Sequence, residues 1–238
     1  MLLIHMAAAK KIETVIISLG GSVLAPAHID AAFLQQFTQL ILKFVHDGYR
    51  FVIICGGGKT AREYQKAARE VVHAIPEDLD WLGIHATRLN AHLLRTLFRE
   101  IAYQKVIKNP NRKIKMKESQ RVVIAAGWKP GWSTDYDAVL LAKNLGAKTV
   151  INITNTDFVY DKDPMKFSDA RPLRQTTWKD FRRLIGVTEW SPGLNTPFDP
   201  VAASSAEKSK LTVAIMGKNL SNLEDFLLGK SFKGTMIT

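Results

Sequence analysis

Apolar positions along the chain form short continuous runs separated by longer amphipathic segments. Continuous apolar runs are typical of strands buried on both faces of a sheet, and they occupy residues 13–19, 51–55, 121–126, 148–154 and 211–216. Apolar residues at helical spacing predict helices over residues 29–47, 79–102, 138–145, 176–184 and 201–209, with another after residue 58. Pro76 interrupts this pattern, and residues 192–200 are predicted to be irregular. The alternation of strands and helices predicts right-handed crossovers and a parallel sheet.

Three consecutive glycines, at residues 56–58, follow the second predicted strand, and a helix-forming segment with Lys59 and Arg62 comes next. Glycines let the backbone turn sharply and approach a ligand closely. The start of a helix offers unpaired N–H groups and a positive dipole end to a phosphate, and Arg62 would add a bidentate contact from one turn inside the helix. A turn without any ligand explains a single loop of this kind equally well.

Two further polar loops follow predicted strands. Gly20, Gly21 and Ser22 end the first strand, and residues 127–137 form a loop with hydroxyl groups and the carboxylate of Asp135. Ligands of open α/β sheets bind beyond the carboxyl ends of the strands, so these loops predict a phosphate site. Neither glycine loop matches the G-x-x-x-x-G-K-[ST] or G-x-G-x-x-G pattern.

Composition and charge narrow the protein class. Of the 238 residues, 46% are hydrophobic and 23% are charged, as in ordinary globular proteins. The single cysteine, Cys55, lies in an apolar strand and forms no internal disulfide, which favours a reducing compartment. No apolar segment approaches about 20 residues, so we expect a cytoplasmic protein without a membrane partner. The net charge is +11, but much of the excess falls in residues 105–117, where no aromatic residues interleave with the basic ones, and we expect no nucleic-acid partner.

Six motifs occur together in a fixed order along the chain. They are SLGGSV at 18–23, CGGGKTAREY at 55–64, LGIHATRLNAHLL at 82–94, GWKPGWSTDYDA at 127–138, NITNTDFVYDKDP at 152–164 and FDPVAA at 198–203. In this combination the sequence resembles the amino-acid kinase superfamily, and within it the archaeal-type uridylate (UMP) kinases. The TRLNA segment at 87–91 is the part that distinguishes UMP kinases from their relatives.

The resemblance implies a fold and an activity. The fold is α/β, a single three-layer αβα domain over residues 1–238 around a mostly parallel central sheet, with residues of about 12–145 binding the acceptor and about 146–238 binding ATP. The activity is transfer of the γ-phosphoryl group of ATP to UMP, with Mg²⁺, giving UDP and ADP in pyrimidine nucleotide synthesis. The resemblance also implies a homohexamer built as a trimer of dimers.

The resemblance also implies roles for individual residues. It assigns the ATP side to Gly21, Ser22, Gly58, Arg62, Thr154, Asn155, Tyr160 and Asp163. It assigns the UMP side to Gly57, Arg62, Asp80, Trp128, Lys129, Pro130, Gly131, Trp132, Ser133 and Thr134. Asp80 would hold the ribose hydroxyls of UMP, and Asp199 would organise the catalytic groups. No residue is assigned as a direct metal ligand.

Structural explanations remain open for several of these residues. Asp80 lies at the start of the predicted long helix, and without the resemblance a helix N-terminal charge is the preferred explanation. Thr134 and Asp135 are candidates to cap the following helix, which is compatible with ligand contact. Tyr160 is explained equally well by packing. Exposure on its helix is the alternative for Arg62, but its place one turn past the three glycines favours contact with a ligand.

Two positions depart from the family pattern. Ser18 stands where most of the superfamily carries a lysine whose charge offsets the negative charge that builds up during transfer. Lys59 is the nearest substitute in sequence, so Ser18, Lys59 and Asp199 are the expected catalytic residues. Phe158 replaces a glycine near the expected adenine pocket. The alternatives are a catalytically silent nucleotide-binding or storage protein on the same fold, or a related kinase acting on carbamate, acetylglutamate or isopentenyl phosphate.

Overall fold

The computed structural model describes residues 14–189, 191 and 196–238. The first residue of the predicted strand at 13–19 and residues 192–195 of the predicted irregular segment lie outside the described residues. So do the first 13 residues of the predicted domain.

A seven-stranded sheet forms the centre of the molecule. Its strands are β1 (Thr14–Leu19), β2 (Arg50–Cys55), β3 (Val122–Ala125), β4 (Thr149–Ile153), β7 (Gln175–Thr176), β8 (Thr212–Met216) and β9 (Thr235–Ile237). A separate two-stranded sheet contains β5 (Val159–Tyr160) and β6 (Pro172–Leu173). The sheet order is β3-β2-β1-β4-β8-β9-β7. Among the described pairs of this seven-stranded sheet only β8–β9 is antiparallel, so the sheet is mostly parallel, as predicted.

Helices cover both faces of this sheet. They are α1 (Gly21–Leu24), α2 (Ala31–His46), α3 (Gly58–Val71), α4 (Pro76–Leu97), α5 (Thr134–Leu145), α6 (Trp178–Ile185), α7 (Pro200–Lys208) and α8 (Leu220–Leu227). One apolar core joins one face of the sheet to α2, α4 and α8, and a second joins the other face to α5, α6 and α7. This is the three-layer αβα fold that the sequence predicted. None of the helices among the described residues is both long and apolar enough to cross a bilayer.

The parallel register of the sheet decides which polar residues meet at its carboxyl edge. Ser18 of β1 lies beside Ile54 of β2 and Asn152 of β4. Ser18 and Asn152 are both buried, at 2% and 4% exposure. The sheet therefore brings two buried polar side chains to the strand ends from which the glycine loops depart.

Helix α4 begins and ends earlier than the sequence pattern indicated. The predicted break before the long helix is present, because α3 ends at Val71, but Pro76 belongs to α4 as its first residue. At this position proline's missing N–H group costs nothing and its fixed φ favours the helix. Asp80 is therefore inside α4 rather than at its start. Helix α5 likewise begins at Thr134 instead of residue 138.

Candidate active site

The two glycine loops contact each other through their backbones at the carboxyl ends of β1 and β2. A Cβ atom built on Gly21 would overlap the backbone nitrogen of Gly58 and lie 2.6 Å from its Cα and 2.7 Å from the carbonyl carbon of Gly56. The φ angle of Gly58 is +67°, a left-handed conformation that favours glycine. The contact therefore requires residues without side chains, and it brings the predicted donor and acceptor phosphate loops together.

Helix α3 presents the two candidate cations that follow the second loop. The Nζ of Lys59 lies 3.5 Å from Glu63 Oε1, and the Lys59 side chain is 42% exposed. Arg62 is exposed, and no salt bridge joins it to any carboxylate in the described ranges. Since exposed pairs one helical turn apart stabilise by only about 0.3–0.5 kcal/mol, both cations are available to an anion.

Helix α4 supports the predicted acceptor side through two residues to which the sequence alone assigned no role. Asn90 donates to the carbonyl oxygens of Gly56 at 2.8 Å and Gly57 at 3.4 Å. The Thr87 hydroxyl accepts from the N–H of Gly127 at 2.8 Å and donates to Ile84 within its own helix at 2.7 Å. Both residues belong to the TRLNA segment, which was the signal available in the sequence.

Asp80 is a buried carboxylate held by the loop that follows β3. It is 7% exposed, and its Oδ2 accepts from the N–H of Gly131 at 2.7 Å. Desolvation raises the pKa of Asp80, and the Gly131 N–H lowers it in part. The interpretation of Asp80 as an exposed loop or helix-end charge was wrong, because the segment around Gly131 covers it.

Residues 128–136 form an aromatic surface beside Asp80. The rings of Trp132 and Tyr136 stack at 4.3 Å between centroids, and Trp128 stacks on Trp132 at 6.3 Å. The Nζ of Lys129 lies 4.5 Å from the Trp128 centroid and 5.6 Å from that of Trp132. Arg88 of α4 donates to the Trp128 carbonyl oxygen at 3.0 Å. Aromatic faces and a cation at this place suit a planar, anionic ligand.

The N-terminus of α5 is capped by Ser133, whose hydroxyl accepts from the N–H of Tyr136 at 3.1 Å. The expectation that Thr134 or Asp135 caps this helix was therefore wrong. Asp137 is fully buried, and its Oδ2 accepts from the N–H of Trp128 at 3.0 Å. Desolvation outweighs the hydrogen bond from the Trp128 N–H, and the net effect raises the pKa of Asp137 to about 7. Asp137 thus ties the loop to α5.

Ser18, Asp135 and Asp199 meet between the sheet and helices α5 and α7. The Ser18 hydroxyl donates to Asp135 Oδ1 at 2.9 Å, and the N–H of Asp199 donates to Asp135 Oδ2 at 3.3 Å. Asp199 Oδ1 caps α7 by accepting from the N–H of Ala202 at 2.5 Å. Two of the expected catalytic residues, Ser18 and Asp199, therefore lie together through Asp135.

The electrostatics of this cluster are unfavourable for two charges. The pKa of Asp135 is raised to about 7, chiefly by desolvation and further by the negative charge of Asp199, and this is the net value after hydrogen bonds from Ser18 and from the Asp199 N–H have lowered it. Desolvation also raises the pKa of Asp199, against lowering by the N–H groups of Ala202 and Val201 and the hydroxyl of Ser133. Two carboxylates this close favour the ionised form only if a positive charge joins them.

The predicted ATP-side residues lie beyond the end of β4. The Thr154 N–H donates to Met216 of β8 at 2.9 Å, and its hydroxyl donates to Asn155 Oδ1 at 3.2 Å. Tyr160 lies in β5 with its ring edge-on to Phe158, which is 7% exposed and so belongs to the core. Asp163 accepts from the N–H of Met165 within a turn. These contacts organise the segment, and they leave the ATP roles of its residues as predictions.

The model of the amino acid kinase family matches residues 13–217, most of the chain. The chain belongs to the amino acid kinase family. The uridylate kinase of Thermoplasma volcanium is 37% identical over 221 residues, which are 92% of this chain and 94% of that protein. The uridylate kinase of Pyrococcus abyssi is 34% identical over 224 residues, 94% of this chain and 98% of that protein.

Solved structures agree with this membership. The uridylate kinase from Archaeoglobus fulgidus superposes with a TM-score of 0.81 at 32% identity, covering 95% of this chain and all of that one. The UMP kinase from Bacillus anthracis superposes with a TM-score of 0.74 at 20% identity, covering 95% of this chain and 96% of that one, a likeness of fold alone. The predicted family and fold are therefore confirmed for this amino acid kinase.

Proposed function

We infer that the protein transfers the γ-phosphoryl group of ATP to UMP, giving ADP and UDP. The likeness to uridylate kinases over 92% of the chain supports this activity most directly. The backbone contact between the two glycine loops supports it physically, because phosphoryl transfer depends chiefly on holding donor and acceptor phosphates next to each other. Gly21, Ser22 and Gly58 would offer backbone N–H groups to the transferring phosphoryl group.

The acceptor side has groups suited to each part of UMP. Arg62, exposed and without a salt bridge among the described residues, would grip the UMP phosphate beside Gly57. One carboxylate oxygen of Asp80 accepts a hydrogen bond from the Gly131 N–H. Its other oxygen is available to accept from the two ribose hydroxyls. The surface formed by Trp128, Lys129, Pro130, Gly131, Trp132, Ser133 and Thr134 would contact the uracil and the phosphate.

The donor side would enclose ATP with Thr154, Asn155, Tyr160 and Asp163, and Arg62 would also reach the transferring phosphoryl group. Mg²⁺ bound with ATP would bridge phosphate oxygens and neutralise part of their charge. Lys59 would supply a further positive charge, since its exposed pair with Glu63 is weak. Asp199 would keep the start of α7 and Asp135 in position, and Ser18 would hold Asp135 from the sheet.

A second candidate function follows from Ser18. A protein that binds nucleotides without transferring phosphate is favoured by the absence of a lysine at this position, since losing a cation near the transferring group costs several kcal/mol of barrier, about 3 kcal/mol for one donor. We propose the kinase over this binding protein because Lys59 and Arg62 remain available. A cytoplasmic role in pyrimidine nucleotide synthesis and a hexamer made of dimers belong to the same proposal.

The test is ADP release in a coupled assay with ATP and Mg²⁺ over five acceptors: UMP, CMP, acetylglutamate, carbamate and isopentenyl phosphate. We expect the highest kcat/KM with UMP. A higher value with another acceptor would replace UMP as the substrate, and saturable UMP binding without ADP release on any acceptor would establish the binding protein instead.

A further inference from the structure

Ser18, Asp135 and Asp199, here called the acid cluster, hold two carboxylates without a positive partner. No lysine, arginine or histidine of the described chain forms a salt bridge with either carboxylate, and the charge that acts on Asp135 is that of Asp199. Ser18 contributes only a neutral hydroxyl, at 2.9 Å from Asp135. The cluster therefore carries uncompensated negative charge where a phosphoryl group is expected to pass.

Asp199 provides a second, independent observation. It is 4% exposed, and its Oδ1 is occupied by the cap of α7. Its Oδ2 is buried and has no hydrogen-bond partner of normal geometry among the described residues, although the nearby Ser133 hydroxyl and Val201 N–H lower the pKa of this carboxyl group. A buried carboxylate oxygen without a donor destabilises the folded protein, so a group that satisfies this oxygen stabilises it.

The donor set favours one kind of group. Two carboxylates and a hydroxyl supply hard oxygen atoms, which suit Mg²⁺ and Mn²⁺. Mg²⁺ sites in phosphate-transferring proteins commonly use one or two carboxylates and complete the octahedron with water and phosphate oxygens. An ammonium group is the other possible partner, but no lysine of the described residues forms a salt bridge with Asp135 or Asp199. The two lysines of α3, Lys59 and Lys66, lie 3.5 and 3.6 Å from glutamates of their own helix.

We propose that Asp135 and Asp199 bind a divalent cation directly, with the Ser18 hydroxyl beside it, so that the metal supplies the positive charge at this edge of the sheet. The role of this metal in catalysis rests on the proposed kinase function, but the site itself does not. Ser18 is two residues before Gly20, so a cation held here would lie close to the loops that face the phosphates.

Nucleotide-free protein gives the direct test. Titrating it with Mn²⁺ and following the loss of the free-ion signal by electron paramagnetic resonance should reveal one site per chain, from which Mg²⁺ displaces Mn²⁺. Asp199→Asn keeps an acceptor oxygen for the cap of α7, and Asp135→Asn keeps one of the two acceptors that Asp135 uses. Each should weaken Mn²⁺ binding by about 10- to 100-fold or more, since even outer-shell changes cost that much. Ser18→Lys should abolish binding by placing an ammonium group in the cluster.

Asp137→Asn is the matched control. Asp137 is also a buried carboxylate of α5 with one oxygen lacking a partner among the described residues, but it faces the Trp128 N–H rather than the cluster. The Asp137→Asn substitution should therefore leave the affinity for Mn²⁺ unchanged. Thermal unfolding without metal checks that each variant folds, and Mn²⁺ should raise the Tm of the wild type but not of Asp135→Asn. If one of Asp135→Asn, Asp199→Asn and Ser18→Lys fails to fold, the other two carry the test.

The outcomes separate this site from the proposed kinase. No Mn²⁺ binding at about 10 mM, well above the roughly 1 mM dissociation constants of weak protein cation sites, would overturn the metal site, as would unchanged binding in Asp135→Asn and Ser18→Lys. A shared proton between the carboxylates would then explain the cluster. Mn²⁺ bound to the acid cluster in a protein that phosphorylates no acceptor would support the metal site and refute the kinase function. Full UMP kinase activity in a protein that binds no Mn²⁺ without nucleotide would support the kinase function and refute the metal site.

Discussion

Replacing Gly21 by alanine tests the contact between the two glycine loops. The added Cβ would overlap the backbone nitrogen of Gly58, and its other close neighbours, at 2.6 and 2.7 Å, are backbone atoms as well. Ordinary carbon contacts are about 3.5–4.0 Å long, so the loops must separate by roughly 1 Å or more. Neither loop moves easily, since Gly20 and Gly56 are hydrogen-bonded to Ile153 and Leu19 at 2.8 and 2.9 Å.

The magnitude follows from this geometry. Overpacking a well-packed region typically lowers the free energy of unfolding by about 1–3 kcal/mol. Because the neighbours of the added Cβ are backbone atoms, we expect Gly21→Ala to lie at the upper end, about 3 kcal/mol. For a chain of this size, 1 kcal/mol shifts Tm by roughly 2–4 °C, so we expect a fall of about 6–12 °C. A displacement of about 1 Å between reacting groups costs around 10²-fold in rate, so kcat should fall at least that far.

Gly83→Ala is the matched control in α4. Its Cβ would meet only the Nε2 atom of Gln65, at 3.0 Å, the end of a flexible side chain that donates to Leu79. Alanine is the better helix former by about 1 kcal/mol, so Tm should stay level or rise slightly. Thermal unfolding and the coupled assay would be run on both variants. A Gly21→Ala protein with the Tm and kcat of the wild type would refute the loop contact.

Three further predictions concern the substrate side chains. Arg62→Ala should raise the KM for UMP far more than the KM for ATP, because a guanidinium on the acceptor phosphate acts largely through ground-state binding. Arg69 is exposed on the same helix, so Arg69→Ala should change neither KM. Equal increases in KM for both substrates in Arg62→Ala would contradict the assignment. Asp80→Ala should lower the free energy of unfolding in urea by about 1–3 kcal/mol by leaving the Gly131 N–H without an acceptor, and should also raise the KM for UMP; a variant as stable as the wild type would count against this buried contact. Lys59→Ala should lower kcat by about 10²–10³-fold with the KM for UMP little changed, and full kcat would remove Lys59 from the catalytic groups.

The central strands were predictable because they are buried on both faces. Such strands are continuous apolar runs, and the predicted ranges for β1, β2, β4 and β8 agree with the structure to within one residue at each described end. Strands β5, β6, β7 and β9 are two or three residues long and were missed. A strand such as β9 forms through its pairing with β8, and two or three residues carry no periodicity that could reveal it.

The parts of the candidate site built from glycine loops could be predicted from the sequence, and the parts built from buried polar side chains could not. The glycine loops stand out in the sequence because few other residues permit their turns. Thr87 and Asn90 look in sequence like residues of a polar helix face, and Asp80 looks like a helix-start charge. Their burial depends on loops that lie some 34–51 residues away, so no local pattern records it.

Helix α4 links the separate parts of the acceptor side. Asp80, Thr87 and Asn90 are seven and three residues apart, spacings that bring side chains to the same region of a helix. Each binds a different backbone segment: Asp80 the loop at Gly131, Thr87 the end of β3 at Gly127, and Asn90 the carbonyl groups of Gly56 and Gly57. One rigid helix thus fixes the spacing between the proposed phosphate loop and the proposed ribose and base loop. None of these three residues bonds to the segment after β4, so in the proposed kinase α4 would preorganise the predicted acceptor side, and the contact between the two glycine loops would join it to the predicted ATP side.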